Sequence, residues 1–494
     1  MKLFGFFKNG HEKTTSFKFD SFILILSKLL TSIVGFLITM LLSRYRTLNE
    51  YGTYSQLLLV VTLSNSIVML GLPNAISFFI GRSNTEEDKQ TFISTYYIFN
   101  TLLSIISGCV LFLLIYPISV YFSNGELLHF WFFVLIYPWV YVTNSSIENV
   151  CVATKKTTLI IPFRLLHSIL VLLAVILSKI INLNFLIYII IFLSIESLFA
   201  ISVYFISFRI VKLKKMVFKF DLVKKIFVFS VPIGLASAVG TLNAEFDKLI
   251  IGHFESTEVV AIYSNCARDL PFLIFSYAIT ASLLPRMAHM FKQKETNNAI
   301  SIWNEAIIIS VSIVSLFCFG LLAFPSDAIS LLYSDKYVAG QNIFMVFCIV
   351  SIFRSVYWGI ILNCTGNTRY ILFSSLFSLG LNIVLDLVLY NIFGVIGCAF
   401  ATLISSLMMN VFQLMFTKKI IGIPISKLIP WKKIMIIFFI NFAFFVVFSR
   451  IRTLIVDTYQ CNSIVVSISL GAIWALIYFA VMFKIYRVKK LNNI

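Results

Sequence analysis

Charge is scarce in this chain. Only 12% of its 494 residues are Asp, Glu, Lys or Arg, against 60% hydrophobic residues, where a soluble domain carries about 25% charged and about 45–50% apolar. Too little polar material is present to cover a water-facing globule, and a soluble protein is excluded. Acids are scarcer than bases, 21 against 39, which leaves a formal charge of +18. Histidine is almost absent: His11, His129, His167, His253 and His289 do not cluster, and the eight Cys are scattered with no CxxC. Metal chemistry, a disulfide framework and a bound cofactor therefore have no support in the sequence. A cleavable signal peptide is not expected, because Lys2, Lys8, Lys13 and Lys18 precede an apolar run too long for an h-region. The short Leu3–Phe7 stretch suits a membrane surface.

What is abundant is apolar length. Phe alone contributes 51 residues and the mean hydropathy is +0.96. A hydrocarbon core about 30 Å thick takes about 20 apolar residues per helix. The polar breaks then predict an all-α polytopic membrane protein of about fourteen spans, from 20–42 to 463–484, with 52–80, 259–285 and 339–362 among them. The pairs at 159–208 and 370–416 are joined only by short breaks at Asn182/Asn184 and Asn391/Gly394, so they read as tight hairpins. With the N-terminus in the cytoplasm, the cytoplasmic tails and loops hold 28 Lys and Arg and the opposite side about 6. That bias sets both termini inside. It also accounts for most of the positive charge: the Lys212–Lys225 run reads as a juxtamembrane belt facing anionic membrane lipid, not as a nucleic-acid site. The outer loops reach only about fifteen residues, too short to build the external catalytic site of a glycan polymerase or ligase. An enzyme is not expected.

Three landmarks recur at nearly the same offset. Tyr54-Ser55 returns as Tyr263-Ser264 after 209 residues, Pro73 as Pro285 after 212, and Thr154–Thr157 as Thr365–Thr368 after 211. A unit of six spans is even, so both copies sit the same way up, as in transporters built from parallel repeats around a central cavity. Chance similarity between apolar helices is the competing reading. The repeat divides the chain into a cytoplasmic tail (1–19), an N-terminal six-helix bundle (20–208), a basic cytoplasmic linker (209–225), a C-terminal six-helix bundle (226–416), and two additional helices with a cytoplasmic tail (417–494). The last two helices look like an appendage.

Ionisable residues within spans are costly and mark function when they cannot reach water. Glu148, Arg164 and Glu305, and on the other side Asp247, Lys248 and Asp386, lie near span ends, where snorkelling is the plain explanation. Lys28, Glu196, Arg268, Asp269 and Arg354 lie deeper. Three are cations, and buried positive charge calls for an anion such as phosphate or pyrophosphate, which Arg binds in bidentate fashion. The competing reading is internal pairing. Arg268 and Asp269 are adjacent and diverge by about 100° on a helix, Glu245 and Lys248 share a face, and Glu196 is available to Lys28 or Arg354. Pro232–Gly240 is rich in small residues, which suits close helix packing or a gating helix.

The segment Leu42–Ser55 resembles the first external loop of polysaccharide repeat-unit flippases (the Wzx type), within the multidrug/oligosaccharidyl-lipid/polysaccharide exporter superfamily. Asp247–Gly252 followed by Ala261–Ser264 resembles that family's seventh and eighth spans, and Gly394–Thr402 its twelfth. The resemblance, over about residues 20–480, implies two six-helix bundles plus two helices and a cationic central cavity. It implies ion-coupled transfer of an undecaprenyl-pyrophosphate-linked oligosaccharide from the inner to the outer leaflet of a bacterial cytoplasmic membrane. The lipid-linked oligosaccharide and membrane lipids are then the partners, with a polysaccharide polymerase and chain-length proteins downstream. Carried onto this chain, the cationic cavity falls to Lys28, Arg268 and Arg354, and the ion-coupling carboxylates are Glu196, Asp247 and Asp269. A multidrug or small-cation exporter of the same fold and a peptidoglycan-precursor flippase are the alternatives.

Overall fold

A computed structural model describes residues 17–491 apart from Leu70 and Asn84. The Leu3–Phe7 segment, the tail as far as residue 16 and the last three residues lie outside the described residues. Among those described, every regular element is a helix. A helix satisfies its own backbone N–H and C=O groups, which lipid cannot do. The outward faces are apolar: Leu113, Phe205, Phe439 and Leu476 are 75, 72, 74 and 72% exposed, which suits hydrocarbon and not water.

In chain order the α-helices are α1 (Phe17–Tyr45), α2 (Leu48–Val68), α3 (Leu72–Arg82), α4 (Glu86–Leu113), α5 (Ile115–Tyr121), α6 (Trp131–Ala153), α7 (Ile160–Ile180), α8 (Phe185–Ile210), α9 (Phe220–Phe254) and α10 (Thr257–Cys266). They continue with α11 (Leu273–Lys292), α12 (Thr296–Ala323), α13 (Pro325–Leu332), α14 (Gln341–Arg354), α15 (Ile360–Cys364), α16 (Thr368–Phe393), α17 (Val395–Ile421), α18 (Ile425–Leu428), α19 (Trp431–Tyr459) and α20 (Ser463–Leu491). Among the described residues twelve helices are long and apolar enough to span a membrane, and thirteen if the bent pair α2–α3 is one span. The difference from the expected fourteen falls at 259–285, where the apolar run is not one helix but α10 and α11 with a break at Ala267–Phe272. The hairpins form as expected: Asn182 takes φ 51 between α7 and α8, and Gly394 takes φ 65 between α16 and α17.

The chain divides into two compact units. Among the described residues the first comprises 17–35, 67–110 and 135–235; the second comprises 36–66, 111–134 and 236–491. In the first unit Ile76, Phe92, Tyr96, Ile147 and Ile226 form the core. Tyr97 shares hydrogen bonds with Ser146 and Ser207 at 3.0 and 2.6 Å, tying α4 to α6 and α8. The α2–α3 break is held by Gly71, in the left-handed region at φ 71 and packed so closely on α9 that a Cβ would stand 2.8 Å from Gly234 N and 2.9 Å from Ser230 O. The small residues around Pro232 thus serve close packing here.

In the second unit Trp303, Phe448, Trp474 and Tyr478 join α12, α19 and α20 in one core. Asp327 on α13 fastens the C-terminal helices. Its buried carboxylate accepts from Arg452 Nε and Nη2 at 2.9 and 2.6 Å, from Ser463 Oγ at 2.9 Å and from Ser467 Oγ. Tyr478 Oη donates to Ser312 O at 3.1 Å. The last two helices are therefore an integral part of this unit, not the appendage expected from their place outside the repeat. An apolar cavity of about 300 Å³ lies between α12, α13 and α20, lined by Phe317, Leu321, Leu331, Ile468 and Phe479.

Candidate functional site

The second unit contains two interrupted helices, and charge sits at both interruptions. α10 starts on Ser256, whose side chain accepts from Val259 N, and ends at Cys266. The chain then unwinds because Pro271 lacks an N–H and disfavours helical geometry at Leu270. Arg268 and Asp269 lie on this unwound stretch. Their divergence is therefore set by loop backbone and not by the 100° step of a helix. α14 ends at Arg354, and irregular backbone follows as far as Gly359. A Cβ on Gly359 would lie 3.0 Å from Gln413 Oε1, so this second break packs against α17.

Arg354 Nη1 donates to Asp269 Oδ1 at 2.8 Å and so joins the two breaks; Tyr277 Oη donates to Asp269 Oδ2 at 3.4 Å. The pair is partly open, 27 and 44% exposed. Arg268 differs. Its Nη1 donates to Thr39 Oγ1, and it lies within hydrogen-bond reach of Tyr51, whose own hydroxyl donates to Asn265 Oδ1 at 2.7 Å. Among the described residues no carboxylate pairs with Arg268. Arg268, Asp269 and Arg354 together leave one net positive charge at the two helix breaks, an arrangement transporters use to contact charged substrates.

In the first unit the charges find partners. Lys28 Nζ lies 2.9 Å from Glu148 Oε1, and Arg164 Nη2 bonds Glu148 Oε2. Glu196 meets neither Lys28 nor Arg354. It takes His167 Nε2 at 2.9 Å and Asn144 Nδ2 at 3.0 Å, because α6 and α7 bring those side chains to α8.

A further cluster lies in the second unit around Asp386. Ser374, Ser378, Asn382 and Asp386 are all buried and recur every four residues along α16, which places them on one face. They pack on the small residues of α17: Ser378 Oγ donates to Ser405 O at 3.1 Å, and a Cβ on Gly397 would sit 2.1 Å from Leu389 O. Both Asp386 oxygens, Asn382 Oδ1 and Nδ2, and Thr402 Oγ1 are buried without a hydrogen-bond partner among the described residues. Asp247 is close enough to Asp386 for the two carboxylates to repel. Its Oδ2 accepts from Tyr263 Oη at 2.6 Å and its Oδ1 from Lys248 N at 2.8 Å. Lys248 Nζ itself pairs with Glu245 at 2.6 Å, as their spacing suggests. The snorkelling explanation fails for the two aspartates, which are 3 and 0% exposed and too short to reach a distant interface. The Ser-Ser-Asn-Asp stripe was the readable signal. Its donors are oxygens, suited to a proton or a hard cation. No group of three or more His, Cys, Asp and Glu converges among the described residues.

Comparison with known proteins follows the same lines. A family profile described as lipid II flippase MurJ matches residues 165–454. An uncharacterized membrane protein of Methanocaldococcus jannaschii is 30% identical over 199 residues, 39% of this chain and 46% of the relative. A "Probable low-salt glycan biosynthesis flippase" of Haloferax volcanii is 23% identical, over 35% of this chain and 37% of its own length. The capsular polysaccharide biosynthesis protein CapF of Staphylococcus aureus is 22% identical, over 40% and 50%. The chain thus spans half or less of the length of these curated relatives. Among solved structures, lipid II flippase MurJ in an inward closed conformation superposes with a TM-score of 0.71 at 14% identity, covering 94% of this chain and 99% of that one. An inward-facing multidrug MATE transporter of the MOP superfamily gives 0.65 at 13%, covering 81% and 95%. Such low identities establish the fold alone. A second profile, described as polysaccharide biosynthesis protein, matches residues 18–291, more than half of the sequence, and the chain belongs to that family of multipass membrane proteins.

Proposed function

We propose that the chain is a flippase. It moves an undecaprenyl-pyrophosphate-linked oligosaccharide repeat unit from the inner to the outer leaflet of a bacterial cytoplasmic membrane, with both termini in the cytoplasm, for polymerisation into surface polysaccharide. The family membership supports the cargo class. The single observation that carries the reading is Arg268: a permanent cation on the unwound segment of a broken span, held by hydroxyl partners and not neutralised by an acid. A guanidinium matches the geometry of a pyrophosphate oxygen pair and stays charged at any physiological pH. Arg268 has only to give up a neutral hydroxyl acceptor when the headgroup arrives, whereas Arg354 must first leave the carboxylate of Asp269 and Lys28 that of Glu148. Arg268 is thus the primary contact, and the other two are secondary. The apolar cavity beside α20 offers a seat for part of the lipid chain.

Transfer is ion-coupled in this proposal, and Asp386 is the coupling residue, assisted by Asn382, Thr402 and Asp247. A carboxylate held in a span without a partner costs free energy that a bound proton or sodium ion relieves. Glu196 and Asp269 are weaker candidates, since each already has a nitrogen donor within 3 Å. A peptidoglycan-precursor flippase is the second reading, favoured by the MurJ profile match.

The test is surface glycan in cells whose only copy is Arg268→Ala. A charge-assisted hydrogen bond is worth about 1.5–3 kcal/mol, so export falls about 10- to 100-fold while the amount of protein in the membrane is unchanged. Normal glycan with normal protein level excludes the phosphate contact. A peptidoglycan defect with intact repeat-unit export selects the second reading.

A further inference from the structure

The basic linker is not a loose tether. Gln90 Nε2 donates to Lys212 O at 3.1 Å, Val217 N donates to Ser94 Oγ at 2.6 Å, Thr95 Oγ1 donates to Val217 O at 3.2 Å, and Lys219 N donates to Thr95 Oγ1 at 3.3 Å. These bonds stitch the linker along the first turns of α4. Beside the stitch lies a polar cavity of about 360 Å³, where α3 ends and α4 and α9 begin, lined by Arg82, Lys219 and Lys225 with Asp88, Asp221 and Phe92.

The two acids do not cancel the bases. Asp88 is occupied at the start of α4, accepting from Thr85 Oγ1 at 2.8 Å and Thr85 N at 3.3 Å. Asp221 sits in the first turn of α9, where the helix dipole favours it. Arg82 is aimed by its own helix, its guanidinium 4.1 Å from the centroid of Phe78, and Phe78 stacks on Phe229 at 4.1 Å. Immediately next to the cavity the linker presents Met216, Phe218 and Phe220 outward, 55, 45 and 75% exposed. Large apolar side chains alternating with lysines at the level where spans end are the signature of a segment lying in the membrane interface. A soluble anion would make no use of those three side chains.

We propose that this end of the first unit is a seat for one anionic membrane lipid. Arg82, Lys219 and Lys225 grip its phosphate, and Met216, Phe218 and Phe220 enter the acyl layer around it. The bound lipid fixes the linker where α4 already holds it. The site is separate from Arg268 and stands whether or not the chain moves a lipid-linked glycan.

The experiment is native mass spectrometry of the full chain in detergent, titrated separately with phosphatidylglycerol, phosphatidylcholine and inorganic phosphate. The wild type retains phosphatidylglycerol in preference to phosphatidylcholine. Arg82→Gln/Lys219→Gln/Lys225→Gln lowers that retention by more than about tenfold, at about fivefold per cation lost. The control Lys214→Gln/Lys215→Gln/Lys224→Gln removes the same charge outside the cavity lining and retains lipid within about threefold of wild type. Should the first triple variant fail to fold, Lys225→Gln alone is expected to lower retention about fivefold. Equal retention of the two lipids, equal loss in both triple variants, or displacement of phosphatidylglycerol by inorganic phosphate each overturns the proposal.

Discussion

The two units differ in the intramembrane charge they leave without an ionic partner. In the first, Lys28 and Arg164 share Glu148, and Glu196 takes His167 and Asn144. The second also holds ion pairs, Lys248–Glu245, Arg354–Asp269 and Arg452–Asp327, but there Arg268 bonds the Thr39 hydroxyl and Asp386 has no hydrogen-bond partner among the described residues. A neutralised pair in a span is a structural solution, since each charge offsets the desolvation of the other. An uncompensated charge is maintained at a cost and signals a missing partner that comes and goes. On the proposed function the working residues lie in the second unit, and variants can break or sharpen this comparison.

The largest effect, beyond that of Arg268→Ala, is expected from Asp386→Asn. The amide keeps the shape but cannot bind a cation by charge. Transport in vesicles then loses its response to an imposed proton or sodium gradient, about tenfold or more, while the thermal melting of the protein is unchanged or raised because a buried charge is gone. A retained gradient response clears Asp386 of coupling. A smaller effect is expected from Lys28→Ala, because Glu148 keeps Arg164: surface glycan falls by about threefold or less, in line with a partly exposed ion pair. The exchange Lys28→Glu/Glu148→Lys tests whether the pair alone matters; a loss as deep as that of Arg268→Ala would erase the distinction between the units. Least transport effect is expected from Arg452→Ala. It leaves Asp327 buried without its ionic partner, which costs stability on the order of 3 kcal/mol, yet transport per folded molecule is retained. Transport lost in proportion to Arg268→Ala would make α19 and α20 part of the cargo path.

Much of this architecture is legible in the sequence because lipid imposes length and polarity on every span. The hairpins at Asn182 and Gly394 are legible too, since only residues tolerant of positive φ can turn so tightly between apolar helices. The break at Ala267–Phe272 is not, because the run from 259 to 285 is mostly apolar and one Pro is compatible with a continuous span. Pairing is also hidden: Glu196 is as close in type to Lys28 or Arg354 as to His167, and only packing of α6, α7 and α8 selects among them. Depth misled for Asp247 and Asp386, where distance along the helix suggested the interface and neighbouring helices closed over the side chains. The same blindness applies to α19 and α20, whose attachment rests on Asp327, a residue far away in the chain.

The central claim is that Arg268 holds the phosphate of a lipid-linked glycan during transfer. Its most direct measurement uses the purified chain in liposomes, with a fluorescent polyprenyl-pyrophosphate saccharide scored for its arrival in the opposite leaflet. The account predicts transfer by wild type, partial transfer by Arg268→Lys, which keeps charge without the bidentate fork, and a loss of about tenfold or more in Arg268→Ala. Equal transfer by all three proteins, or none by any in liposomes that hold the folded chain, would contradict it.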